Sequence, residues 1–424
     1  MFTNNWWKYL MSLNLKPDMI EQRTIGILSE TKSPPDSRVV LPPSLCREAM
    51  QLHPSLKIIV QSSPSRCFAD DEYREEGIEV VDDVSFCDIL LGVKEVAIDQ
   101  LVDGKTYFFF SHTIKAQPYN RRLLQTILAK NIELIDYECL RSKHGPRVIA
   151  FGRWAGIVGA YNGLRALATR LSLGEMPAMH KCFDLAEALE ALRSIDFSSV
   201  RLAVTGTGRV SRGAEEIVKA AGLEEISPSS YISNEQQGQY VMLPTESLFT
   251  HDEYGFQTSF YSDPSGYRST LLPYLQSTNL LINGIYWDNR APSFFTKEEA
   301  DALLKSSRLT TIADITCDIA PEASIPLTIR PSIIGDAVYG VDPQLLAELP
   351  PYSCNGLDIM AVDNLPNELP RDASIDFGTM FIEHVLDAMM TNDYSSHEMI
   401  KQATIAKAGK LTSAYQYLTE YVNA

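Results

Sequence analysis

A chain of 424 residues, 45% hydrophobic and 21% charged, has room for two or three globular domains, and its composition excludes disorder as the default state. Its 37 basic against 54 acidic residues give a net charge of −17, which argues against nucleic acid or an anionic membrane as partner, because their phosphates would be repelled. Seven cysteines without a C-x-x-C pair read as reduced thiols, no apolar run is long enough to span a bilayer, and the first residues lack a basic leader with an apolar core, so a cytoplasmic protein is expected.

In chain order, residues 1–22 carry two adjacent tryptophans, Trp6 and Trp7, expected to dock on the body of the protein. Residues 24–28 read as a strand, followed by a polar, proline-braced loop to Arg38 and a helix from Pro43 or Ser44. Short apolar strands are expected at 57–60, 78–81, 88–93, 106–110 and 132–135, with a helix at 69–76. Strands that are apolar throughout and alternate with helices predict a parallel sheet covered on both faces. The fold class predicted is α/β, with two Rossmann-like domains and an interdomain cleft. The first, substrate-binding domain covers 23–150 and is completed by 360–424; the second, dinucleotide-binding, covers 151–359.

Residues 152–173 place Gly156, Gly159 and Gly163 on a helical face of small residues, which predicts a long helix packed between the domains. Leu202–Thr205 reads as a buried strand running into Gly206-Thr-Gly208 and then a helix. This order suits a dinucleotide turn: Gly206 permits the bend, and Gly208 lets backbone N–H groups approach a pyrophosphate at the positive end of the helix. Ser211 replaces the third glycine of that pattern, and Gly213 follows two residues later. An ordinary strand-to-helix turn is the plain alternative. Residues 228–270, rich in Ser, Tyr and Gly, are expected to form a surface excursion; 280–286 and 309–316 are further strands, and 401–422 a final amphipathic helix.

Two ionisable residues sit at strand ends in the first half, Lys94 in Gly-Val-Lys-Glu95 and His112 in Phe-Ser-His-Thr. Ligands of open parallel sheets bind beyond the carboxyl ends of the strands, so both are expected in one crevice. A lysine facing a cleft near another cation has a lowered pKa, as a neutral-pH base requires. An exposed lysine and a hydrogen-bonded histidine would look the same. His180-Lys-Cys182 is too short a pattern for a metal, and none is expected.

With Glu30-Thr-Lys and Arg38, Gly92-Val-Lys-Glu95, Phe110-Ser-His-Thr-Ile-Lys115 and Ile135-Asp-Tyr-Glu138, the sequence resembles the lysine-forming saccharopine dehydrogenase and lysine–2-oxoglutarate reductase family, related to alanine dehydrogenase. The resemblance continues through Arg147-Val-Ile-Ala-Phe-Gly152, Asn283-Gly-Ile-Tyr-Trp287, Ala313-Asp-Ile-Thr-Cys-Asp318 and residues 362–373. It implies an oxidoreductase acting on a CH–NH bond, which condenses an amino acid, lysine, with a 2-oxo acid, 2-oxoglutarate, and reduces the imine with NAD or NADP as cofactor. Lys94 and His112 would be the acid–base pair. Arg38 and Arg147 would hold substrate carboxylates, helped by Lys115, and Glu95 and Glu138 would tune the cations or bind the amine. On the cofactor side the resemblance points to Gly206, Gly208, Arg209, Val210 and Ser211, with Ser227 at the ribose-reading position and Asp318 beyond a later strand. Two alternatives stay open: an alanine dehydrogenase-like amino-acid dehydrogenase, and a non-catalytic dinucleotide-binding redox sensor. The oligomeric state has no signature in the sequence.

Overall fold

The structure, a computed structural model, describes residues 22–143, 145–391 and 393–424. The tryptophan pair lies outside the described residues. The chain forms two compact units, one from the N-terminal part to Ala150 together with Ser374–Ala424, the other from Phe151 to Ala373.

The first unit contains β1 (Arg23–Ile27), β2 (Leu56–Gln61), β3 (Glu79–Val81), β4 (Ile89–Leu91), β5 (Thr106–Phe109) and β6 (Glu133–Asp136). They run parallel in the order β6-β5-β4-β1-β2-β3. β4 and β5 are buried along their whole length, because helices such as Pro43–Leu52 and Arg121–Ala129 lay apolar stripes on the sheet. The chain builds β2 and β3 on one side of β1, then returns to place β4, β5 and β6 on the other. The strand order therefore reverses between β1 and β4, and a crevice opens beyond their carboxyl ends at such a point.

The second unit repeats this plan. It contains β7 (Arg201–Thr205), β8 (Glu224–Glu225), β9 (Gln239–Leu243), the pair β10 (Phe249–His251) and β11 (Tyr267–Ser269), β12 (Leu280–Asn283), β13 (Thr311–Asp314), β14 (Val338–Asp342), β15 (Ala347–Leu349) and β16 (Leu357–Met360). The main sheet has the order β15-β14-β16-β13-β12-β7-β9-β8, parallel except for β14, which runs antiparallel to both its neighbours. Residues 228–270 are not the surface excursion expected of them. β9 pairs with β7 inside the sheet, and Tyr231, Val241, Leu248 and Phe249 are buried in the core beneath it. The glycines of the segment lie in its connections and most of its serines on short helices, a composition that hides a strand and a half-buried aromatic hairpin.

The long helix is Gly152–Leu171, and its small-residue face is buried inside the second unit. A Cβ on Gly156 would stand 1.9 Å from the Val210 carbonyl oxygen, and one on Gly163 2.7 Å from Ala313 Cβ. Gly213 answers from the Arg209–Ala220 helix, where a Cβ would meet the Arg153 oxygen at 2.0 Å. The two helix backbones thus touch, and only glycine fits at the contact.

The chain re-enters the first unit at Ser374, later than the expected residue 360, because β16 and the segment after it belong to the second sheet and its core. The final helix predicted over 401–422 does not form. Thr404–Lys407 is β17, antiparallel to β6, and a hairpin turns back into β18 (Lys410–Leu411). Ala408 and Gly409, both at positive φ, make the two-residue turn. Apolar spacing that looks helical locally is divided here between the β17–β18 hairpin at the sheet edge and the short Thr419–Asn423 helix. Among the described residues no helix is long and apolar enough to cross a membrane.

Candidate active site

In the first unit the carboxyl ends of β1, β4, β5 and β6 deliver the ionisable residues to one place. The loop after β1 brings Glu30, Lys32, Asp36 and Arg38; β4 runs into Lys94 and Glu95; β5 leads to His112; β6 ends beside Asp136 and Glu138. His112 has φ 54°, a left-handed conformation that a residue with a Cβ adopts only when its surroundings hold it there. Its Nδ1 lies 2.5 Å from Glu95 Oε1, and Lys32 Nζ donates to Glu95 Oε2 at 2.7 Å. Burial would raise the Glu95 carboxyl, but the hydrogen bonds from His112 and Lys32 outweigh it and bring it down to about 2. Phe110 stacks near the imidazole at 6.5 Å between ring centres.

Burial, helped by the Arg38 charge and opposed by Asp36, holds the Lys94 amine below its ordinary pKa. This is the shift a base or nucleophile near neutrality needs. Arg38 is buried and grips Asp36 through two bonds, Nε to Oδ1 at 2.9 Å and Nη2 to Oδ2 at 2.6 Å. Arg147 Nη2 donates to Glu138 Oε1 at 3.0 Å, while Glu138 Oε2 is buried with no hydrogen-bond partner among the described residues. Lys115 is exposed on the Thr113–Lys115 turn; its backbone N–H donates to the His112 oxygen at 3.2 Å, but no side-chain hydrogen bond or ion pair joins it to this network among the described residues.

Two carboxylates without an expected role hold the cluster's backbone. Glu30 accepts the Val93 and Lys94 N–H groups at 2.5 and 2.9 Å. Asp136 accepts the Ser111 N–H and hydroxyl and, through its other oxygen, the Glu138 N–H at 2.7 Å. Both stand inside stretches that the sequence singles out, Glu30-Thr-Lys and Ile-Asp-Tyr-Glu; adjacency to the named residues was the available signal.

In the second unit, β7 ends at Thr205 and Gly206 takes φ +84°. Ser211 is fully buried, and its hydroxyl is shared between the Thr205 oxygen at 2.9 Å and the Gly284 oxygen at 3.2 Å. It fastens the turn, while close helix packing falls to Gly213. Gly208, at the head of the twelve-residue helix that begins with exposed Arg209 and half-buried Val210, faces open space. A nicotinamide dinucleotide fits this arrangement: Gly206 supplies the bend, and Gly208 leaves the first helical turn open to a pyrophosphate. Beside the turn, Gly206, Gly208, Thr245, Phe260, Ile285 and Tyr286 line one pocket. Asp318 lines an adjoining pocket with Tyr286 and Trp287.

Ser227 does not reach the turn. It follows the edge strand β8, which β9 separates from β7, and its exposed hydroxyl caps the Pro228–Ser233 helix by accepting the Ser230 N–H. The strand beside β7 is β9, and just past its end stands Thr245. Thr245, and not Ser227, lines the pocket beside the glycine turn. A buried polar chain, also not foreseen, ties the ends of β7, β12 and β13: Thr205 Oγ1 donates to Asn283 Oδ1 at 2.6 Å, and Asn283 Nδ2 donates to Asp314 Oδ1 and Ser324 Oγ, both at 2.8 Å.

Residues 26–158 match the family described as alanine dehydrogenase/PNT, N-terminal domain. Along 93% of its length the chain is 32% identical to alpha-aminoadipic semialdehyde synthase of Arabidopsis thaliana, of which it spans 41%. It is 25% identical to saccharopine dehydrogenase [NAD(+), L-lysine-forming] of Emericella nidulans, covering 89% of this chain and 95% of that protein. The chain is homologous to the saccharopine dehydrogenases and the alpha-aminoadipic semialdehyde synthases. It spans about two fifths of the synthases it matches and nearly the whole of the fungal dehydrogenase. Among solved structures, an L-alanine dehydrogenase superposes with a TM-score of 0.65 over 94% of this chain and 99% of the other at 16% identity, which shows that this homologue of the saccharopine dehydrogenases has the two-domain Rossmann-type fold.

Proposed function

We propose that this chain is a nicotinamide-dependent oxidoreductase that interconverts saccharopine with lysine and 2-oxoglutarate. The observation that carries the reading is the convergence of Lys94, Glu95 and His112 at the carboxyl ends of β4 and β5, in a homologue of saccharopine dehydrogenases. In the reductive direction the lysine amine adds to the keto carbon, a protonated carbinolamine loses water, and the resulting imine is reduced to the secondary amine. The bound nicotinamide would supply the hydride for that last step. Glu95 holds His112 through Nδ1, so Nε2 is the nitrogen free to pass a proton to and from the carbinolamine oxygen. Lys94, with its pKa lowered by burial, takes the proton from the attacking amine and returns it. Arg147 and the unpartnered oxygen of Glu138 offer a carboxylate and an ammonium site side by side, which suits an amino acid. Arg38, already paired with Asp36, acts by its charge on Lys94.

The match of residues 26–158 to the alanine dehydrogenase/PNT domain supports a second reading, an amino-acid dehydrogenase that uses ammonia and a simple 2-oxo acid. Loss of nicotinamide absorbance with lysine and 2-oxoglutarate, against ammonia and pyruvate, decides between them with either NADH or NADPH. Oxidation with the first pair alone is the expected result. Turnover only with ammonia would transfer the assignment to the second reading, and cofactor binding without turnover on any pair would defeat both.

A further inference from the structure

The Glu30 carboxylate does not face the substrate residues as a partner of their side chains; it grips their backbone. Leu28 leaves β1 by donating its N–H to Leu91 at 2.9 Å, so the loop crosses the end of β4. There Glu30 Oε1 takes the Val93 N–H at 2.5 Å and Oε2 the Lys94 N–H at 2.9 Å. The opposite side of the same segment belongs to β5: Gly92 donates to the Phe108 oxygen at 2.9 Å, and the Phe110 N–H donates to the Val93 oxygen at 3.1 Å. A Cβ on Gly92 would stand 3.5 Å from Glu30 Oε1, so the carboxylate sits directly on the chain. Lys94 is thereby clamped from both sides, and the strand on the far side is the one that leads to His112. Two successive N–H groups call for a fork of two acceptors, which a carboxylate provides and an amide does not.

We infer that Glu30 is a positioning residue, which fixes the place of the Lys94 amine relative to His112 by holding the peptide groups of Val93 and Lys94. This rests on the reading of Lys94 as an acid–base group. Burial pushes Glu30 up to about 7 against the pull of the Val93 N–H, and the ionisable groups facing it are Asp36, Arg38 and Tyr137. Protonation leaves the fork with a single good acceptor, so the clamp loosens as pH falls through neutrality.

The test compares wild type, Glu30→Gln and Glu30→Asp for the pH dependence of Lys94 acylation by acetic anhydride, resolved by mass spectrometry, with exposed Lys410 as internal reference. Lys94 is half-buried and held by the clamp. Glu30→Asp keeps the charge on a stem too short to reach both N–H groups, so the Lys94 midpoint is expected to move up by about half a pH unit or more while Lys410 stays fixed. Glu30→Gln also deletes a negative charge beside Lys94, which favours the neutral amine, so its midpoint is expected to lie below that of Glu30→Asp. With substrates, kcat is expected to fall ~10-fold, as for other residues that orient a working group, and adding Glu30→Gln to Lys94→Met to produce no further loss. An unmoved Lys94 midpoint in folded Glu30→Asp, or additive losses in the double variant, overturns the inference. Failure of wild type to turn over lysine and 2-oxoglutarate would remove the proposed reaction, while the acylation profile still decides the clamp.

Discussion

His112 Nδ1 and Glu95 Oε1 lie 2.5 Å apart, at the head of a chain that ends on Lys32. Glu95 is held as a carboxylate and accepts only, so Nδ1 of the imidazole carries the hydrogen, and in the proposed reaction Nε2 is the nitrogen that exchanges a proton. The left-handed backbone of His112 presents the ring in this orientation, and the Ser111–Asp136 bonds hold the preceding residue.

Lys94→Met and His112→Gln are each expected to lower kcat with lysine and 2-oxoglutarate by about 10²-fold or more, the usual worth of a general acid or base, with circular dichroism unchanged. A variant with near-normal turnover would release that residue from the mechanism.

Glu95 links the cluster to acid stability. Its carboxyl is lowered from 4.5 to about 2 in the folded protein, so the native state binds fewer protons than the unfolded chain between these values. The stabilisation is fully present above pH 4.5 and is lost as pH falls through about 2. Urea midpoints of Glu95→Gln should therefore lie below wild type at pH 6 and converge on it towards pH 2; a gap independent of pH would show that the pair contributes no such linkage.

The glycines of the second unit separate cofactor binding from folding. Gly208 has open space around its missing Cβ and an ordinary φ of −79°, so Gly208→Ala is expected to change stability by less than about 0.5 kcal/mol while weakening NADH or NADPH binding, followed by fluorescence titration. Gly213→Ala puts a Cβ 2.0 Å from the Arg153 oxygen and is expected to destabilise by about 1–3 kcal/mol or more. Unaltered cofactor affinity in Gly208→Ala would mean that the turn is only a turn.

Asn283→Leu removes the centre of the Thr205–Asn283–Asp314 chain. Asp314 is fully buried, and burial holds its carboxyl above the ordinary range even with its present donors, among them Thr328 at 2.5 Å. Losing one donor and stranding Thr205 should cost about 2–4 kcal/mol, read as a fall in Tm, with Gly206 and its turn displaced. A drop below about 0.5 kcal/mol would show that water or Thr316 replaces the amide without loss.

What the sequence determined alone was whatever depends on neighbours a few residues apart. Apolar runs alternating with helical stripes marked the strands, Thr205-Gly-Thr-Gly marked a strand-to-helix turn, and Lys94 and His112 were placed at strand ends. The reversal of strand order beside β1 and again beside β7 came from the tertiary structure, because pairing partners such as β7 and β9 are set by packing across long stretches of chain. That choice puts Thr245 instead of Ser227 beside the glycine turn, Glu30 under Lys94, and β17 against β6 where local spacing suggested a helix. Periodicity reports which face of an element is apolar; only burial against a particular neighbour decides which polar groups must find each other.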